Sequence, residues 1–332
     1  MKEQKNKGVF MDKKVIPIVY ALDDKFVPFL SVSIQSILEN GDNQNFYKFY
    51  VLNQGIDKSN IEKLGVYNTE NSSVEFINVL HKIKPLMNKL CVRDNYSEEI
   101  YFRFFIPSLL PEYDKIIYID SDTVVNTDIA KLYEQEIDDY VLGVVTDETV
   151  ANLDLFVSYV EQYLGVPQKQ YFNSGVLLIN SKQFNEQNIL DNFVKALEIV
   201  TFRVAPDQDY LNVLCKGKVK YLDLGWNKMP INPQDFDDKE IKLIHFNLNL
   251  KPWKYDGIAY SDYFWKYAKK SLFYNHILQI KNSYGEEDEK IAKRNFERLI
   301  TISKDCLNKE PSTIFDYEEF NNAFGISNKS IK

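Results

Sequence analysis

"KIIYIDSDTVVN", residues 115–126, decides how this chain is read. Ile116 to Ile119 form an apolar run of strand length, and Asp120 and Asp122 follow it one residue apart. Alternate side chains of an extended chain share a face, so the spacing predicts that the two carboxylates point together while Ser121 points away. Two carboxylates at the end of a buried strand repel each other unless a cation lies between them, and a divalent ion meets that need. Asp207-Gln208-Asp209 and Asp235-Phe236-Asp237 repeat the bare triplet. The apolar strand in front is therefore what singles out Asp120 and Asp122 as candidate metal ligands, the alternative being a plain strand-end turn.

Strands and helices alternate outward from this stretch. "VIPIVYALDD" (15–24) reads as a strand in which Pro17 marks an edge position or a late start. A helix follows, with Pro28 in its first turn, Leu30, Ile34, Ile37 and Leu38 on one face and Gly41 at its end. "FYKFYVLN" (46–53) and "VEFINVL" (74–80) read as strands on either side of a short helix at "IEKLGVY" (61–67). Ser97 opens a helix, "EEIYFRFF", limited by Pro107 and Pro111. Later strands are expected at "YVLGVVTD", "GVLLIN", "VKYLDLG" and "IKLIHF", with helices near 183–200 and 207–215. This order predicts an α/β fold with a mostly parallel sheet, whose ligands bind beyond the carboxyl ends of the strands.

The 332 residues, 45% of them apolar, suffice for a sizeable core. A net charge of −8 without a long basic run argues against a nucleic-acid partner. Cys91, Cys215 and Cys306 are scattered and lack metal-ligand spacing, which suits a reducing compartment. No apolar run approaches the roughly 20 residues of a membrane span, and the polar start "MKEQKNKG" lacks the apolar stretch of a secretory signal. The expected location is cytoplasmic. Past "KPWKYDG" the chain changes character, and a boundary near residue 256 separates a domain over 14–255 from a helical C-terminal extension over 256–332. In that extension Lys266, Lys269 and Lys270 lie beside Phe264, Trp265 and Phe273. They would either contact the inner face of a membrane peripherally or, the favoured reading, pack aromatics on the domain with lysines in water.

His245 closes the apolar strand "IKLIHF" and, of the three histidines, is the one with a strand to aim it, so it is the candidate third ligand. At this point "YALDD", "YFR", "IIYIDSDTVV", "YFNSGVLLIN", "DQDYLN" and "HFNLNLKPW" together resemble glycosyltransferase family 8, in order and spacing, over roughly residues 14–255. The resemblance implies a GT-A fold, a Rossmann-like nucleotide-sugar-binding domain, and retaining transfer of a hexose from UDP-galactose or UDP-glucose to a glycan acceptor, as in bacterial lipopolysaccharide and glycan synthesis.

It also implies roles by position. Asp120, Asp122 and His245 match the family's manganese ligands, with magnesium as the alternative. Lys251 matches the lysine that reaches the diphosphate, Asp23 the acid that holds the uracil ring, and Arg103 the arginine beside donor sugar and phosphate. Taken alone, Asp23 reads equally as a helix cap and Arg103 as a surface ion-pair partner. Asn173 looks like the donor-sugar contact, and Asp207 and Gln208 like the pair below the anomeric carbon, Gln208 offering its amide oxygen opposite the leaving group. A neutral amide is a poor nucleophile, which favours front-side attack over the two-carboxylate route.

Lys25 stands where the family often has Asn. Leu248 stands where it commonly has a glycine that lets backbone approach phosphate, so the closing of this loop is expected to differ. "IIYIDSDTVV" also resembles the first motif of haloacid-dehalogenase-like phosphatases, in which Asp120 would be a nucleophile. A non-catalytic nucleotide-sugar-binding or glycan-assembly subunit is the other alternative.

Overall fold

A computed structural model describes residues 13–92, 97–150 and 153–308. The start of the chain and residues 309–332 of the expected extension lie outside the described residues. In chain order the elements are β1 (Lys14–Ala21), α1 (Val27–Asn40), β2 (Asn45–Asn53), α2 (Lys58–Leu64), β3 (Ser72–Asn78), α3 (Leu80–Ile83), a 3-10 helix Glu98–Phe105 running into α4 (Ile106–Leu109), β4 (Lys115–Ile119), β5 (Thr123–Val125) and α5 (Ala130–Tyr133). There follow β6 (Leu142–Thr146), α6 (Asp154–Ser158), β7 (Phe172–Asn180), α7 (Ser181–Glu186), α8 (Ile189–Ile199), α9 (Pro206–Leu214), β8 (Val219–Tyr221), β9 (Leu243–His245), α10 (Ser261–Ala268), α11 (Tyr274–Ser283) and α12 (Glu286–Leu307).

The main sheet has the order β3-β2-β1-β4-β7-β6-β8. It is mostly parallel, as expected of an α/β fold, with β7 running antiparallel to both neighbours. Cores of buried aliphatic and aromatic residues lie on its two faces, so strands such as β4 and β7 are apolar almost throughout. β1 is central rather than at an edge. Pairing to β4 begins at Ile18, one residue past Pro17, so the half-strand carrying the proline has a neighbour only in β2.

Three local readings change. "EEIYFRFF" winds as a 3-10 helix, Ser97 makes no side-chain cap, and Pro107 begins α4 instead of ending the segment. Gly41 ends α1 in an extended conformation, φ −80°, not a left-handed one. Its missing side chain leaves room for Tyr47, whose hydroxyl would lie 2.6 Å from an added Cβ. Third, the strand ends just before Asp120, a turn follows at Ser121 and Asp122, and the chain then enters β5, which pairs antiparallel with β9 in a small second sheet.

Of the aromatics past residue 256, Phe264 packs at 4.9 Å from Trp253, and Phe264, Tyr267, Phe273 and Ile277 join the core cluster of β1 and α1. Lys270 pairs with Glu39 at 2.5 Å. Among the described residues no helix is long and apolar enough to cross a membrane.

Candidate metal and nucleotide-sugar site

The second sheet explains how residues far apart in sequence meet. β5 places Thr123 opposite His245, so the turn that carries Asp120 and Asp122 lies against the end of the strand that carries the imidazole. Thr123 Oγ1 donates to the Asp120 carbonyl at 2.9 Å and Asp120 N–H to the Gly175 carbonyl at 2.8 Å, which pins the turn from both sides. The carboxylates converge because of this turn, not through strand alternation. His245 Nε2 lies 3.6 Å from Asp120 Oδ2 and 3.3 Å from Asp122 Oδ1. One ligand atom from each of the three residues falls within 4.8 Å of the others.

The donor set fits a divalent cation. Asp122 Oδ1 is buried and accepts no hydrogen bond, a state that is costly for a carboxylate oxygen unless a cation satisfies it. His245 Nδ1 lies 3.0 Å from Asn227 Oδ1, and Nε2 is turned toward the acids. Gly175 sits beneath: an added Cβ would fall 2.6 Å from Asp120 Oδ2 and closer still to His245 Cε1. Burial pushes the Asp122 carboxyl up, but Lys251 and His245 outweigh it and hold the group well below the usual carboxylate range.

A second set of polar groups lies beside the triad. β7 bulges away from β6 between Asn173 and Leu177, and so turns Ser174 and Gly175 toward the acids. Arg103 is buried and bridges Asp120 Oδ1 at 3.2 Å and Asp207 Oδ2 at 3.1 Å, with its guanidinium 4.5 Å above the Tyr118 ring. It is no surface ion-pair partner. Burial raises the Asp207 pKa, Arg103 opposes this, and the nearby Asp120 adds to the rise. Gln208 is held at both ends. Its Nε2 donates to Asp147 Oδ2 at 3.0 Å, and its Oε1 accepts from Ser174 N–H at 3.0 Å and Asn173 Nδ2 at 3.1 Å. The amide oxygen expected to face a sugar is thus turned into the protein.

These groups line one cavity of about 800 Å³ at the carboxyl ends of β1 and β4, together with Asp23, Lys25, Phe29, Lys251 and Trp253. Asp23 accepts from Lys25 N–H at 2.9 Å and caps the turn Asp24–Phe26, the plain alternative for this residue, while still bordering the cavity. Phe29 stacks on Trp253 at 3.9 Å. Lys251 Nζ is tied to Asp122 and to the Phe246 carbonyl. Leu248 takes φ +49°, the conformation a glycine adopts freely, so the loop keeps a glycine-like backbone with a leucine in it.

All nine predicted site residues, Asp23, Arg103, Asp120, Asp122, Asn173, Asp207, Gln208, His245 and Lys251, therefore border this cavity. Sequence reasoning missed Asp147, Gly175 and Asn227. Gly175 had a legible signal, a glycine entering a fully buried strand. Asp147 and Asn227 had none, because an Asp or Asn after a strand or in a loop is ordinarily a turn residue.

A family model described as "Glycosyl transferase family 8" matches residues 17–257. A relative from Haemophilus influenzae is 29% identical over 225 residues, 66% of this chain, and the match spans just under two thirds, 64%, of that protein. A lipopolysaccharide 1,2-glucosyltransferase of Escherichia coli K12 is 27% identical over 276 residues, 75% of this chain and 78% of its own length. Among solved structures, the galactosyltransferase LgtC in complex with donor and acceptor sugar analogs superposes with a TM-score of 0.60 at 22% identity, covering 83% of this chain and all of LgtC. That likeness is one of fold, and it is the GT-A arrangement expected. The phosphatase alternative is set aside by the same findings. Matched over most of its sheet and across the whole metal cluster, the chain belongs to glycosyl transferase family 8.

Proposed function

We propose that this glycosyltransferase moves galactose or glucose from the corresponding UDP-sugar to a glycan acceptor, with retention and with Mn²⁺ as the resident ion, Mg²⁺ being the alternative. The observation that carries the reading is Asp122 Oδ1, buried without a hydrogen bond beside His245 Nε2 in a cavity large enough for a nucleotide sugar. A cation held by Asp120, Asp122 and His245 supplies positive charge to the leaving diphosphate. Oxygen and imidazole donors in one set suit manganese.

The chain's own residues do the rest. Lys251 exchanges its contact with Asp122 for the diphosphate, as a mobile point charge can. Phe29 and Trp253 offer apolar surface to the base, and Asp23 a carboxylate. Asn173, Asp207 and Arg103 border the side of the cavity assigned to the donor sugar. Gln208 Oε1 already accepts two strong hydrogen bonds, which supports front-side transfer: the C1–O bond to UDP breaks and the acceptor oxygen bonds C1 on the same face. A UDP oxygen then takes the hydroxyl proton. We assign this work to residues 14–255 and treat 256–332 as a helical extension. A cytoplasmic location, and peripheral membrane contact through Lys266, Lys269 and Lys270, belong to the same proposal.

The test is UDP release from a panel of UDP-sugars, with Mn²⁺ or chelator, on wild type and Asp122→Ala. Metal-dependent release from one hexose donor, lost in the variant, supports the reading and names the donor. Donor binding without release across many acceptors overturns it in favour of a non-catalytic binding subunit.

A further inference from the structure

Two carboxylates stand within 3.6 Å of His245 Nε2, and on their own they would draw the imidazole proton to that nitrogen, as Nε2–H donating to Asp122. A proton there removes the lone pair a metal needs. The opposite side of the ring decides the outcome. We propose that Asn227 is the positioning residue for His245, and that a chain of side-chain amides running Asp147–Asn173–Asn227 fixes its direction so that the imidazole carries its proton on Nδ1.

An amide is ambiguous at either end until a neighbour with no choice fixes it. Asp147 is such a neighbour when ionised, since it can only accept, and it takes Asn173 Nδ2 at 3.1 Å. The backbone N–H of Gly175 is another, since it can only donate, and it gives to Asn173 Oδ1 at 2.9 Å. Asn173 is thereby oriented from both ends. Its Oδ1 also accepts Asn227 Nδ2 at 2.9 Å, which turns Asn227 Oδ1 toward the imidazole, 3.0 Å from Nδ1. An oxygen there accepts and cannot donate, so Nδ1 carries the hydrogen. Asn227 and Asn173 are buried, so water does not compete for these bonds. Asn227 is delivered by its place next to Lys228, whose carbonyl accepts His245 N–H at 2.9 Å.

The inference rests on His245 being a metal ligand.

The test reads the tautomer and the metal separately from turnover. In metal-free protein above the ordinary imidazole titration range, side-chain ¹⁵N spectra separate His245 from His81 and His276 and show which nitrogen bears hydrogen. Wild type is expected as Nδ1–H, Asn227→Ala as Nε2–H, and Asn227→Asp, which keeps an acceptor, as Nδ1–H. The Kd for Mn²⁺ alone should weaken about 10-fold or more in Asn227→Ala. Nδ1–H and an unchanged Kd in Asn227→Ala would overturn the proposal. Should that variant not fold, Asn173→Ala frees the Asn227 amide to rotate and is expected to show both tautomers; Nδ1–H alone overturns the relay. Neither readout needs a sugar donor, so a failed transferase assay and a failed relay are distinguishable.

Discussion

Gly175 lies so close beneath His245 that an added Cβ would overlap ring atom Cε1 and come within 2.6 Å of Asp120 Oδ2. These side chains can make room only by leaving their positions, against the bonds of Asp120 to Arg103 at 3.2 Å and Tyr118 at 2.7 Å and of the ring to Asn227. Gly175→Ala should therefore keep the fold, as measured by circular dichroism, yet weaken Mn²⁺ binding by at least about tenfold in titration calorimetry. Wild-type affinity in that variant would show that the ligands are not held as described.

Removal of the metal should destabilise the chain as well as silence it. A cation would satisfy the orphaned Asp122 Oδ1, and its binding would favour the folded state by ~2.7 kcal/mol at a Mn²⁺ concentration a hundred times its Kd. Thermal unfolding with and without chelator should differ in wild type and coincide in Asp122→Ala.

The loop after β9 offers a backbone test. Leu248 holds φ +49° with its side chain 45% exposed, so Leu248→Gly removes strain while adding unfolded-state freedom, and the two changes offset to within about 1 kcal/mol in urea unfolding. Leu248→Pro fixes φ near −65° and displaces Lys251, three residues on. Its KM for donor should rise roughly tenfold or more in steady-state kinetics, given that a lost charged contact is worth about 1.5–3 kcal/mol.

Asp209 supplies a pH signature outside the metal site. It is buried and accepts from Tyr171 OH at 2.6 Å and Tyr159 OH at 2.8 Å, yet burial pushes its carboxyl up to about 7. A folded-state value raised above the unfolded one, about 3.9, means that the folded chain holds the proton more tightly. The resulting stability is full below about pH 4 and is lost as pH rises through about 7. Asn cannot titrate, so the stability gap between wild type and Asp209→Asn should narrow by up to ~3–4 kcal/mol between pH 4 and 8 in urea unfolding. A gap independent of pH would show that Asp209 stays ionised throughout.

Much of the fold was legible because buried strands leave apolar runs and turns leave Pro, Gly and Asp at their ends. "KIIYID", "GVLLIN" and "IKLIHF" each became part of a strand for that reason. The short strand Thr123–Val125 was not, since three residues after a turn carry no period. Without it, the meeting of Asp122 and His245 could be named but not explained. The winding of "EEIYFRFF" was equally hidden, because periodicity marks its buried face without choosing 3-10 over α.

By itself the sequence determined the ligand types, the α/β order and the family, all of which reside in local pattern and residue chemistry. Only the tertiary structure decided which atoms face the candidate metal site and which face the protein. Hydrogen-bond direction along Asp147, Asn173, Asn227 and His245 depends on neighbours up to 98 positions apart in the chain, and the outward look of Gln208 was lost to Asp147 and Ser174 for the same reason. Side-chain amides have two faces of equal size and opposite polarity, and nothing local to them says which way they turn.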